Sequence, residues 1–223
     1  MHRLHRFLLG ALLTATCFIG LRTTLTAGEN LIRNAGFETD ADQWGLYSGK
    51  DAEGAGAALA VSNEVAHSGV NSLKLSCPII ARYSAGPMLG SAGVVKPGDR
   101  FRLSLWVRAG KDFVQKPGSH GFVVRATLRT PERVDSPEGN FYFTSPDHAL
   151  RATYDESRAS LGTSSVSREW KPLTVVFEIP PGVQYLGLNL FVESGSGSLF
   201  IDDVVLTKVD ASVAMTPLLS KGK

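Results

Sequence analysis

Phe101-Arg102-Leu103-Ser104-Leu105-Trp106-Val107-Arg108 sets one apolar series, Phe101, Leu103, Leu105 and Val107, against a second series at every other position. A period of two puts each series on its own face of an extended strand. The pattern returns three times. Phe122, Val124, Ala126 and Leu128 alternate with Val123, Arg125, Thr127 and Arg129. Leu173, Val175, Phe177 and Ile179 repeat it, and Leu186, Leu188, Leu190 and Val192 interleave with Gly187, Asn189, Phe191 and Glu193. Lys96-Pro97-Gly98-Asp99, Pro180-Pro181-Gly182 and Ser194-Gly195-Ser196-Gly197 separate these runs with turn chemistry. After the first 27 residues no stretch keeps a helical period over several turns. The expected fold is all-β, a sandwich whose antiparallel sheets each bury one face.

Residues 1–27 have the layout of a secretory signal peptide: basic His2, Arg3 and Arg6, an apolar run from Phe7 to Leu21, then small residues up to Ala27. The apolar run is short for a helix crossing about 30 Å of hydrocarbon. The expectation is a secreted, periplasmic or cell-surface protein with no membrane span once the leader is cleaved. Three of the 23 basic residues (Arg3, Arg6, Arg22) leave with it, so 20 bases face 21 acids. That balance offers no basic stripe for a phosphate backbone, which argues against nucleic acid as a partner. Cys77 is then the only cysteine. No internal disulfide is available, and a core must supply the stability.

The stretch 130–166 is polar, with prolines at 131, 137 and 146, and reads as long loops at one edge or mouth of the sandwich. Asn140 to Thr144 is a candidate short strand within it, and Arg151 to Gly162 a candidate helical turn. Residues 209–223 are small and polar and read as a flexible tail.

Two acidic sites stand apart. Asn34-Ala35-Gly36-Phe37-Glu38 places a carboxylate beside a glycine turn, and Ile201-Asp202-Asp203-Val204 sets two acids inside an apolar strand. A buried carboxylate wants a cation or hydrogen bonds, and Ca²⁺ prefers carboxylate and carbonyl oxygens. If the fold joins the segments, Glu38 and one of the paired aspartates can share an ion. The other reading is that Glu38 caps a turn and the aspartates meet arginines. His67, His120 and His148 are too spread for zinc.

Leu31 to Glu38 followed by Trp44, then His67-Ser68-Gly69-Val70-Asn71-Ser72-Leu73-Lys74-Leu75, Val95 to Val107, Glu169-Trp170 and Gly197 to Val204 occur in an order that resembles carbohydrate-binding modules of the family 4, 9, 16 and 22 group. The resemblance covers 30–208. It implies a galactose-binding-like β-jelly roll with a structural Ca²⁺, held by Glu38, the backbone of Gly36 and Asp202, with backbone oxygens near Val70 and Asn71. Asp203 is the alternative to Asp202, since a bulge exchanges which one faces the ion.

Sugar recognition pairs flat aromatic faces with planar polar groups. The outward series supplies Trp106, Arg125, Asn189, Phe191 and Glu193, with Tyr83 and Tyr142 as rim candidates. The corresponding family groove strand often carries amides or aromatics; here it reads Gly90-Ser91-Ala92-Gly93, which cannot stack on a sugar. The resulting expectation is a non-catalytic module binding a polysaccharide or other glycan. A module docking another cell-envelope protein through Phe191 and Trp106 is the alternative. A glycosidase or lyase drawing two acids from Glu132, Asp135, Glu138, Asp147, Asp155 and Glu156 is a third reading, although no spacing among them singles out a dyad.

Overall fold

A computed structural model describes residues 28–48, 56–145, 148–153 and 164–219. The strands are β1 (Trp44–Ser48), β2 (Ala58–Ser62), β3 (Ser72–Pro87), β4 (Arg100–Ala109), β5 (Val114–Gln115), β6 (Val123–Arg129), β7 (Asn140–Ser145), β8 (His148–Ala152), β9 (Lys171–Glu178) and β10 (Tyr185–Val209). A short 3-10 turn, Gly90–Gly93, is the helical element among the described residues. The fold is the expected all-β jelly roll.

Two long strands build both layers. The second half of β3 and the first half of β10 pair with each other, flanked by β1 on one side and by β6, β7 and β8 on the other. The remaining halves, around Leu73–Cys77 and Gly197–Val209, pair with β2 and with β4 and β9. The crossing from layer to layer falls at register shifts between Val192, Gly195 and Gly197. Glycine is required at the bend. Gly197 has φ +84°, and a Cβ there would sit 2.3 Å from the Asp112 carbonyl oxygen. The Asp112 carboxylate locks the corner by accepting the Ser198 N–H at 3.2 Å and its hydroxyl at 3.0 Å.

The alternating series pack as their period demands. Leu103, Leu105, Val124, Leu128, Val175, Leu188 and Leu190 all lie inside one core between the layers. Trp44 joins it through an edge contact with Phe37, ring centroids 5.0 Å apart, and Cys77 is a buried free thiol. Tyr83, proposed from the sequence as a rim residue, is fully buried, because its neighbours Arg82 and Ser84 take the outward positions of β3. Its hydroxyl donates to the Gly197 carbonyl at 3.2 Å, and burial pushes its pKa well above the ordinary phenol value.

The stretch read as loops contains a hairpin. β7 was foreseen; β8 was not, and it takes up Arg151 and Ala152, where a helical turn was expected. The part of that expected turn from 154 to 162 lies outside the described residues, as do the leader 1–27 and Asp147, Asp155 and Glu156. Beyond β10 the chain is stitched to the sandwich: Thr216 exchanges bonds with Val176, and the Leu219 N–H donates to the Ala149 carbonyl. Arg100 donates to the carbonyls of Ala211 and Val213.

Close backbone approach yields one expectation. A Cβ on Gly86 of β3 would lie 2.3 Å from the Leu188 carbonyl oxygen. Backbone cannot yield as a flexible side chain does, so Gly86→Ala must force β3 and β10 apart. A loss of about 1–3 kcal/mol is expected in urea unfolding, the usual cost of overpacking. A change within experimental error would show that the two strands have slack there.

Candidate functional site

The outward face of the first layer forms an open trough of about 580 Å³, within the usual range of ligand sites. Strand register dictates its floor. Asn189 pairs with Arg125, Gly187 with Thr127 and Tyr185 with Arg129 across β10 and β6, while Ser84 faces Phe191 and Tyr47. The Asn189 side-chain carbonyl accepts from the Arg125 guanidinium at 3.0 Å and from the Thr127 hydroxyl at 3.2 Å. Gly187 leaves a gap between Tyr185 and Asn189, since a Cβ there would meet nothing nearer than Thr127 at 3.6 Å. The Gly90–Gly93 turn contributes Gly90 and Gly93 to the lining, so no ring is presented from it.

Three of the seven residues proposed from sequence for ligand contact therefore share the trough: Arg125, Asn189 and Phe191. The other four are elsewhere. Trp106 lies on β4 in the other layer, where its ring stacks on His67 with centroids 3.8 Å apart. It and Phe191 consequently form no common patch. Tyr142 is fully buried with Val123, Leu150, Ala152 and Phe191, a second small apolar cluster; the unforeseen β8 pairs alongside β7 and supplies Leu150 and Ala152 to it. Glu193 stays outside the lining, its carboxylate accepting the His120 N–H at 3.0 Å. Tyr83 is in the core.

Sequence reasoning missed Tyr47, Arg82, Arg129, Arg133 and Tyr185, all of which line the trough. Arg129 and Tyr185 carried a signal, since each continues an outward series that was already identified. Arg133 did not. It reaches the trough from a turn with φ +63° and lays its guanidinium 4.5 Å from the Tyr185 ring centroid, a cation–π arrangement.

The two acidic segments do converge on one loop, residues 67–70. Asp202 is fully buried and accepts three backbone N–H groups, from His67 at 2.9 Å, Ser68 at 3.2 Å and Asp203 at 2.8 Å. Glu38 accepts the Val70 N–H at 3.1 Å from the opposite segment. Asp203, at φ +48° where the β10–β4 register shifts, turns away to the His67 ring at 2.7 Å and the Ser68 hydroxyl at 2.6 Å. The bulge thus gives Asp202 the interior position. Burial pushes the Asp202 pKa up, and its three backbone donors only partly oppose that. No group of three or more His, Cys, Asp or Glu suited to a metal occurs among the described residues. An ion here would rest on two carboxylates plus backbone oxygens, a hard oxygen set of the kind Ca²⁺ accepts.

Of the acids considered for catalysis, Glu138 pairs with Arg151 at 2.6 Å and Asp135 with Arg129 at 3.5 Å. No carboxylate occurs among the described residues lining the trough.

His120 yields a pH expectation. It is buried beside Ser164, and burial holds its pKa below 6.5, with the Glu193 carboxylate opposing. The unfolded chain takes up this proton near pH 6.5 and the folded chain only at lower pH. Stability is therefore full above that value and declines as pH falls through it, by at most about 1.4 kcal/mol per pH unit. Urea unfolding of wild type and His120→Gln from about pH 7.5 to about pH 5.5 should show the variant losing less. Equal losses would dismiss the histidine as the cause.

Neither a family model nor any curated protein matches the chain. Solved structures do. The family 22 xylan-binding domain of Paenibacillus barcinonensis Xyn10C superposes with TM-score 0.54 at 18% identity, covering 85% of this chain and 100% of that one. The C-terminal family 22 carbohydrate-binding module of Clostridium thermocellum Xyn10B gives 0.54 at 14% identity, covering 84% and 96%. The enzymatically active domain of tailspike protein 4 from bacteriophage CBA120 gives 0.52 at 16% identity; 81% of this chain matches 21% of that larger one. At such identities the likeness is one of architecture: this chain has the β-jelly-roll fold of the carbohydrate-binding modules.

Proposed function

We propose that the chain is a secreted, non-catalytic binding module that holds a polysaccharide in the trough on β1, β3, β10 and β6. The observation that carries this reading is the trough's composition. An open floor of planar polar groups, Asn189 and Arg125 held to each other at 3.0 Å, is flanked by the rings of Tyr47 and Tyr185. Ring faces cover the C–H face of a pyranose, while amide and guanidinium groups bond its hydroxyls. A glycosidase needs two acids across its cleft, and the described lining of the trough includes none, which supports binding rather than hydrolysis. Affinity electrophoresis through gels containing soluble xylan, β-glucan or polyuronate tests the proposal. Retarded migration in one of them is expected, and unaltered migration in every gel would remove it.

The same reading includes a structural Ca²⁺ held by Glu38, Asp202 and the backbone oxygen of Gly36. The ion would offset the desolvation of Asp202 and tie the opening turn to β10 through residues 67–70. A site at about 100 times its Kd contributes about 2.7 kcal/mol. Chelation is therefore expected to lower Tm by about 5–10 °C in a domain of this size. An unchanged Tm would mean that the hydrogen bonds of Asp202 and Glu38 hold the loop without a metal.

A further inference from the structure

Four arginines, Arg82, Arg125, Arg129 and Arg133, line the trough, and its described lining includes no carboxylate. The chain beyond its leader is close to neutral by sequence, so this concentration of positive charge belongs to the trough and not to a generally basic surface. Each of three of these guanidinium groups is set in place by an observed contact. Asn189 orients Arg125, the Tyr185 ring supports Arg133, and Arg129 stands opposite Tyr185 in the register with Asp135 alongside. The Asp135 pair is more than half exposed on both sides and exchanges readily for another carboxylate. Arg125 and Arg129 project from the same face of β6 two pleats apart, about 13 Å along the strand. A single small anion cannot meet both; a chain bearing repeated anionic groups can.

On the reading that the trough takes a polysaccharide, we propose that its ligand is an acidic one, bearing carboxylate or sulfate groups along the chain. The planar guanidinium fork matches both oxyanions in a two-point contact, and Asn189 and Thr127 remain suited to sugar hydroxyls. Lining arginines in this number would be poorly used on a neutral glycan, whose hydroxyls an amide satisfies equally well.

The test is titration calorimetry of the full chain with polygalacturonate, a sulfated galactan, neutral xylan and neutral β-glucan. One of the acidic polymers is expected to bind at least about tenfold more tightly than the neutral ones, because charge-assisted bonds exceed neutral ones. Its affinity should fall severalfold as NaCl rises from about 0.05 to about 0.5 M, since screening weakens exposed ion pairs. The double variant Arg129→Gln/Arg133→Gln, altered at two exposed positions, should lose about tenfold for that polymer alone. Which acidic polymer binds identifies the anion as carboxylate or sulfate. Equal or tighter binding of a neutral glycan, or affinity indifferent to salt and to the double variant, overturns the acidic-ligand proposal and leaves the binding module standing. Failure of all four polymers to bind removes both.

Discussion

Asp202→Ala is expected to cost about 3–5 kcal/mol of stability, the largest loss from any single substitution considered. The side chain has no exposure to solvent, and truncation strands three backbone donors at once, those of His67, Ser68 and Asp203. An unsatisfied buried donor costs about 1–3 kcal/mol; entry of water into the vacated space would relieve part of that total. The neighbouring acid provides the contrast. Asp203 is partly exposed, and its positive φ suits asparagine as well as aspartate. Asp203→Asn should therefore remain within about 1 kcal/mol of wild type, the range of an exposed pair. Urea unfolding of both variants in chelator measures the two effects without any contribution from bound metal. Similar small losses would mean that residues 67–70 are held by something other than Asp202.

The second large effect concerns ligand uptake. Gly187 sits on the trough floor with ordinary room for a Cβ and no unusual φ. Leucine there points into the trough between Tyr185 and Asn189. It should abolish glycan retention, an affinity loss of at least about a hundredfold, since the ligand must give up both flanking contacts, each worth about 1–3 kcal/mol. The fold should persist, because glycine weakens a strand and a Cβ at this position makes only ordinary contact, with Thr127 at 3.6 Å. Unchanged retention by a folded Gly187→Leu protein would place the binding surface elsewhere, with the stacked Trp106 and His67 on the other layer as the next surface to test.

The architecture was legible because strand periodicity is a local property. Phe101 to Arg108 or Leu186 to Val192 assigns its own faces without knowledge of its neighbours, and those assignments hold in the core. Asp202 as the interior acid was an open choice that only the β10–β4 bulge resolves. The site was half legible. Alternation identified Arg125, Asn189 and Phe191 as outward, but an outward face is not one place: Trp106 is equally outward on the other layer. Which strands share a layer depends on pairing over long sequence separations, and alternation is blind to that. Tyr142 failed for a related reason. Its β7 position does point away from the core, yet β8 pairs beside it and adds Leu150 and Ala152 to a second apolar cluster around it, and nothing in His148–Ala152 announced a strand. Arg133 enters from a turn, where no period exists to read.

Because β10 belongs to both layers, and its end also receives Leu31, whose N–H donates to the Leu206 carbonyl at 2.8 Å, neither half of the sandwich can be completed before β10 is available. Without β10, β3 keeps only its pairings with β1 and β2, β4 only that with β9, and β6 only that with β7. Such dependence on distant partners makes for slow acquisition of structure, in milliseconds to seconds, with the two layers closing together and not one after the other.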